Sequence, residues 1–371
     1  NFLNSDFGFR NFCIRLHNQI SYTFFNKANA DQVIIGKNNY LYQKYYLDTY
    51  TGADFVGEDS IARTLRKLQF ISDTLKKLDK TLLVIFAAGK ATFYPEFIPD
   101  EYRKEGEKTN YKQFALSAKK TDLNLIDFNN WFLQNKNKSR YPLYPQYGIH
   151  WSRYGSVIAL DSIIKKIENL RNIDLPETYC DTIKIEQPQG RDYDVADGMN
   201  LMFRLNSFDM AYMKPRFKND LGKTRPRVLT IGDSFYWEIY CFYLSGVFKD
   251  EHFWYYNNLV YPESSTEETL TDYLDFGKEI NRHDVFIIMA TEANLKRMGW
   301  GFIENAFNYF KNGEPPHSEN YFIRLKQLVD YIQTDEKWLS GIRERAKKEN
   351  QILKVKIVQE AKWVLKNDGV Y

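Results

Sequence analysis

The chain has 371 residues, 43% of them apolar and 16% aromatic, and its 51 Lys and Arg against 48 Asp and Glu give a formal net charge of +3. This length and apolar content suit one large α/β domain or two smaller ones, and interspersed charges without a basic stripe exclude an ordinary nucleic-acid binder. Cys13, Cys180 and Cys241 show no metal-ligand spacing, and no apolar run reaches the length of a membrane-spanning helix.

Phe9, Phe12, Leu16, Ile20 and Phe24 recur at spacings of three and four and predict a helix within residues 1–30, with Ser5 and Asp6 as candidate caps. The chain begins at Asn1, so a targeting or anchoring segment is expected to have been removed ahead of it. Val33 to Tyr42 reads as two short strands joined at Lys37-Asn38-Asn39. An amphipathic helix is expected over 59–80, capped by Asp59 or Ser60 and burying Ile61, Leu65, Leu68, Ile71, Leu75 and Leu78. Leu82 to Phe86 reads as a buried strand and Leu123 to Phe128 as another strand, ending at Asp127, alternating with helices at about 108–120 and around Trp131, which predicts a parallel sheet. The loop from Tyr141 to Trp151 holds two prolines and a glycine, and places His150 just before a helix that starts at Ser152. Residues 173–226 are the least regular stretch, with a candidate strand at Thr182–Ile185, a short helix within Asp192–Leu201 and an aperiodic polar run from Lys214 to Arg225.

The stretch from Arg227 to Tyr236 carries the most chemistry. Val228 to Ile231 is a buried-strand run, Gly232 breaks it, and Asp233-Ser234 lead into an aromatic helical pattern of Phe235, Trp237, Ile239 and Phe242. A strand ending in Gly-Asp-Ser at a helix start exposes a serine hydroxyl at the carboxyl edge of the sheet, near N–H donors. A nucleophile needs both features, and a simple helix cap uses the same residues. A strand at Phe253–Tyr256, a helix over about Glu263–Ile280 and a strong strand at Asp284–Ala290 follow; residues 300–371 read as three or four helices.

Of five histidines, only His150 sits in a loop able to reach that carboxyl edge, where it could serve Ser234 as a base or simply pack with Trp151. His17 falls within the N-terminal helix, His252 and His317 lie in polar contexts that predict exposure, and His283 sits at the amino edge of the last strand. An oxyanion hole could use the Ser234 N–H with the N–H of Gly89 or the side-chain amide of Asn294; a tight turn and a helix cap are the competing roles of those two. Trp151, Tyr236 and Trp237 flank the motifs and would line an aromatic substrate groove or pack in the core.

Together these segments resemble the alginate O-acetyltransferase family of SGNH-hydrolase-like proteins, in which the histidine motif precedes the Gly-Asp-Ser motif. The resemblance runs in order through Ser5-Asp-Phe-Gly-Phe-Arg10, Val33 to Tyr42, Ala88-Gly89-Lys90 with Tyr94-Pro95-Glu96, His150-Trp151 with Gly155, Asp192 to Leu201 and Gly232 to Phe235. It covers about residues 1–300, including 173–226 as an irregular insert, and leaves 301–371 as a helical extension packed on that domain. It implies an α/β fold, an SGNH-hydrolase-like parallel sheet flanked by helices, with Ser234 as nucleophile, His150 as base and Lys90 in the substrate site. It further implies acetyl-ester chemistry on a polysaccharide in the periplasm or at the cell surface, alongside partner proteins of a membrane-associated acetylation complex, with no metal and no diffusible cofactor. The sequence departs from the family at one important place: the Asp expected two residues before the histidine is Gly148, and Ala88 stands for the Pro of the lysine segment. Asp127, at a strand end, or Glu292 would then supply the orienting acid. Three readings follow: an O-acetyltransferase or acetylesterase working through an acyl-enzyme, a pseudoenzyme that binds glycan or a partner protein, and an α/β domain whose Gly-Asp-Ser is only a turn. The ordered motifs favour the first, and Gly148 is the argument for the second.

Overall fold

Strands too apolar for one wet face need cover on both sides, and the central sheet meets that need. The computed structural model describes residues 9–102, 106–218, 221–262, 269–313, 315–349 and 352–367. Its central sheet has seven strands, here β1 (Thr81–Ala87), β2 (Leu125–Asp127), β3 (Arg227–Gly232), β4 (Asp250–Tyr255), β5 (Leu259–Pro262), β6 (Thr269–Leu270) and β7 (Val285–Thr291), in the spatial order β6-β5-β4-β3-β7-β1-β2. Strands β4, β3, β7, β1 and β2 are parallel, as the alternation of strands and helices predicts; β5 and β6 add an antiparallel edge. Every residue of β1 and β7 is buried. All five parallel strands therefore present their carboxyl ends to one edge, where crevices open in such sheets.

One face of the sheet packs against the helix Arg153–Arg171, through Leu160, Ile163 and Ile167, together with Phe128, Phe132 and Trp151. The other face packs against the helices Glu58–Lys77 and Phe302–Asn312. A third cluster joins Leu259 of β5 and Leu270 of β6 to the helices Glu319–Thr334, Glu336–Lys348 and Leu353–Asn367. No described helix is long and apolar enough to cross a membrane. The three cysteines are all free.

Several local expectations shift. The helix Glu58–Lys77 follows Gly57 without a side-chain cap, and Leu78 lies beyond its end, half exposed. The apolar residues that set the period of the helix Arg10–Phe25, Phe12, Leu16, Ile20 and Phe24 within it and Phe9 just before it, are exposed. The caps Ser5 and Asp6 lie outside the described residues. The helix expected over 263–280 is only Phe276–Arg282, preceded by β6 and a 3-10 turn at Thr271–Tyr273; residues 263–268 lie outside the described residues. His252 is buried rather than exposed, because it points inward from β4.

Ile287 of β7 is fully buried, between Thr230 of β3 and Leu83 of β1. Ile287→Ala should cost about 2–5 kcal/mol, read from urea unfolding; an unchanged midpoint would contradict this account of the core.

Candidate active site

Strand β3 ends at Gly232, and Asp233 and Ser234 form the turn into the helix Tyr236–Tyr240. Asp233 is fully buried and builds that turn. Its Oδ1 accepts from the N–H of Phe235 at 3.1 Å; its Oδ2 accepts from the N–H and the hydroxyl of Thr291, both at 2.8 Å, and from the Asn294 amide at 2.9 Å. Burial pushes the Asp233 carboxyl pKa up, and these donors pull it back. Thr291 ends β7, so the turn carrying the half-buried Ser234 is tied to the neighbouring strand end.

The histidine loop is pinned on both sides of His150. After it, Trp151 is fully buried against Phe128, Phe132 and Phe235, and the Ser152 hydroxyl accepts from the N–H of Gly155 at 3.0 Å to cap the helix Arg153–Arg171. Before it, the buried Lys90 ammonium donates to the carbonyls of Gln146 at 2.8 Å and Gly148 at 2.6 Å. His150 itself is 8% exposed, with its ring 4.8 Å from that of Phe235.

From this mount the imidazole spans two partners. Its Nε2 lies 3.0 Å from Ser234 Oγ and its Nδ1 lies 2.7 Å from Asp194 Oδ2. Asp194 Oδ1 accepts from the N–H of Ile149 at 3.0 Å, which aims the other oxygen at the ring. A carboxylate only accepts, so Nδ1 carries the proton and Nε2 is left to accept from the serine hydroxyl.

The acid thus comes from 44 residues beyond the histidine. Asp194 opens the short helix Asp194–Gly198, after a 3-10 turn at Gly190–Tyr193. Arg191 in that turn donates to the Ser234 carbonyl at 3.1 Å and pairs with Glu238 at 2.9 Å, while Arg153 holds the other Glu238 oxygen at 2.8 Å. Gly148 explains why position 148 cannot supply the acid. A Cβ there would run into the Arg191 carbonyl oxygen and come within 2.8 Å of the Asp192 carbonyl carbon. The backbone that brings in Asp194 occupies the volume a side chain at 148 would need.

Other expected site residues are placed differently. Asp127 caps the helix Phe128–Asn135 through the N–H of Asn130 and accepts from the Tyr111 hydroxyl, so it is not the orienting acid. Glu292 is buried against Gly89 and accepts from the Thr92 hydroxyl. The Asn294 amide is committed to Asp233 and Thr291 rather than to an oxyanion, and Gly89 caps a short helix at Lys90–Phe93. Trp151 and Tyr236 are wholly buried and belong to the core, with the Tyr236 hydroxyl on Glu251; Lys90, also buried, has its ammonium on the histidine loop. Trp237 is half-buried among Tyr240, Phe253, Tyr255 and Tyr261.

Two residues missed from sequence join the site besides Asp194. Arg191 lies in the irregular segment, and Tyr256, in the turn after β4, brings its hydroxyl to Ser234. Burial raises the Tyr256 pKa, so the hydroxyl stays protonated and can donate. Arg191 also lines a cavity of about 530 Å³ with Arg153, Lys184, Gln189, Tyr212 and Lys214.

Gly148→Ala should destabilise the protein by about 1–3 kcal/mol through overpacking, and Gly148→Asp should lower its melting temperature further. A Gly148→Asp variant as stable as wild type would contradict the close approach. Lys90 gives a pH test. Burial lowers its pKa from 10.5 to about 7, against a smaller opposing pull from Asp194. Between those values the unfolded chain holds a proton that the folded chain lacks, so this group favours folding more as pH rises. Compared with Lys90→Met in urea, wild type should gain relative stability between about pH 7 and about pH 9.5; a pH-independent gap would count against it.

A family model described as "SGNH hydrolase-like domain, acetyltransferase AlgX" matches residues 33–194. The match contains His150 and ends at Asp194; Ser234 lies outside it. No curated protein matches the chain. Among solved structures, the O-acetyltransferase domain of Pseudomonas putida AlgJ is 13% identical with a TM-score of 0.47, over 74% of this chain and 99% of that one. Pseudomonas aeruginosa AlgX is 13% identical with a TM-score of 0.48, over 77% and 71%. Bacillus cereus PatB1 is 14% identical with a TM-score of 0.47, over 71% and 97%. Over residues 33–194, rather less than half of its length, the chain is thus similar to the family described as SGNH hydrolase-like, acetyltransferase AlgX.

Proposed function

We propose that this chain is a serine-dependent O-acetyltransferase or acetylesterase that acts on an exopolysaccharide or cell-surface glycan. The observation that carries this reading is the contact chain from Asp194 through His150 to Ser234. In the proposed reaction Ser234 Oγ attacks an acetyl carbonyl while its proton passes to His150 Nε2. The imidazolium, stabilised by Asp194, then returns that proton to the departing alcohol, leaving an acetyl ester on Ser234. A sugar hydroxyl or water gives its proton to Nε2, attacks the ester and releases the serine. The Ser234 N–H at the helix start and the Tyr256 hydroxyl are the proposed oxyanion donors.

The cavity beside Arg191 is the proposed seat of the acceptor. Its lining mixes Lys184 and Lys214, the Arg153 and Arg191 guanidinium groups paired with Glu238, and Asp192, Gln189 and Tyr212, a dense set of donors and acceptors that suits a polyhydroxylated chain. Residues 1–300 would form the catalytic unit and 301–371 a helical extension. With the family match in support, we place the protein outside the cytoplasm, exported or anchored, beside other proteins of an acetylation complex. The pseudoenzyme reading rested on Gly148, and an acid at the histidine from another segment removes its main support.

The test is turnover of a chromogenic acetyl ester together with intact-mass detection of an acetyl adduct. Wild type should form the adduct, and Ser234→Ala and His150→Ala should lose it. Asp194→Asn should lower kcat by about 10²–10⁴-fold, the range for loss of an orienting acid, whereas Asp127→Asn should leave it within about twofold. An adduct that persists in Ser234→Ala, or wild type without turnover or adduct on acetyl esters and acetylated glycans, would overturn the proposal.

A further inference from the structure

We infer that Asp250, His252 and His283 form a buried divalent-cation site, suited to zinc, at the amino edge of the central sheet. Asp250 and His252 open β4 and His283 directly precedes β7, so the cluster lies at the opposite end of the parallel strands from Ser234. One ligand atom from each residue lies within 4.8 Å of the other two. Ligands about 2.0–2.2 Å from a tetrahedral zinc lie about 3.3 Å apart, so small side-chain rotations bring the three into place.

The hydrogen bonds around the cluster leave lone pairs facing inward. His252 Nδ1 lies 2.8 Å from Glu279 Oε2, and His283 Nδ1 lies 2.8 Å from the Glu279 carbonyl oxygen. Both partners only accept, so both Nδ1 atoms carry protons and both Nε2 atoms present lone pairs. His283 Nε2 is buried without a hydrogen-bond partner, and so is Asp250 Oδ1. Arg282 occupies the other Asp250 oxygen. A buried acceptor without a donor costs about 1–3 kcal/mol, and a cation between these atoms would satisfy both at once.

Ligand type and surroundings both favour zinc. Two imidazoles and one carboxylate suit zinc better than magnesium or calcium, which take oxygen ligands. A carboxylate or carbonyl on the outer nitrogen of each histidine is the usual support of a metal-binding imidazole, and Glu279 supplies both. Asp250 and Glu279 set two negative charges near the cation against the positive charge of Arg282; the Lys80 ammonium sits behind, on the His283 carbonyl at 2.6 Å. Asp250 is near the surface, with 11% of its side chain exposed, so a water can complete the coordination. The bound ion would tie the helix Phe276–Arg282 and the start of β7 to β4.

The experiment titrates zinc chloride into protein freed of metal by chelator, using calorimetry, with metal content measured after dialysis and cobalt(II) absorption as a second readout. Wild type should bind one equivalent, show the visible bands of tetrahedral cobalt and gain melting temperature. Asp250→Asn and His252→Gln should weaken binding by about 100-fold or more, and Glu279→Gln by about 10–100-fold. If the histidine variant fails to fold, Asp250→Asn decides, since it preserves shape. Absence of stoichiometric binding in wild type, or one equivalent retained at full affinity in Asp250→Asn, would overturn the site.

Discussion

The close approach of the Arg191–Asp192 backbone to Gly148 is the constraint on which the site depends. A chain without a Cβ at 148 lets a second segment lie against the histidine loop. That segment delivers Asp194 to the outer nitrogen of His150 and Arg191 to the carbonyl of Ser234. One glycine therefore sets both where the acid comes from and how the insert is docked. The Ile149 N–H fixes the second Asp194 oxygen, so the carboxylate is held by the same loop that it orients.

The site is supported by buried polar groups rather than by the aromatic residues beside it. Asp233 gathers four donors to hold the serine turn to the end of β7, and Lys90 holds the histidine loop by two carbonyls. Buried charges are costly unless satisfied, and leaving one partner unpaired costs more than the pair itself contributes. These groups therefore rigidify the geometry more than they add to stability. At the far end of the strands, Glu279 gives His252 and His283 comparable support, so both edges of the sheet carry oriented imidazoles.

Much of this was legible in the sequence. The apolar runs of β1, β3 and β7 predict the parallel sheet, and Gly232-Asp233-Ser234 at a strand end and His150 before a Ser-capped helix predict the meeting at the carboxyl edge. Asp194 was not legible, because it comes from an irregular segment whose docking depends on tertiary contacts with Tyr147, Ile149 and Glu238. Asp127 looked suitable from its place at a strand end, yet a strand-end Asp is also a helix cap, and its side chain is used that way. Trp151 and Tyr236 lie close in sequence to the motifs, but the loop before the helix Arg153–Arg171 and the first turn of the helix Tyr236–Tyr240 direct them into the core. The antiparallel edge of β5 and β6 was missed because short strands carry little periodic signal.

The most direct test of the central claim is proton NMR of the imidazole Nδ1–H of His150, which a 2.7 Å bond to a carboxylate should shift downfield and protect from exchange. If Asp194 orients the ring, that resonance appears in the wild type, survives in Asp127→Asn and disappears in Asp194→Asn. A resonance that survives in Asp194→Asn and is lost in Asp127→Asn would contradict the account.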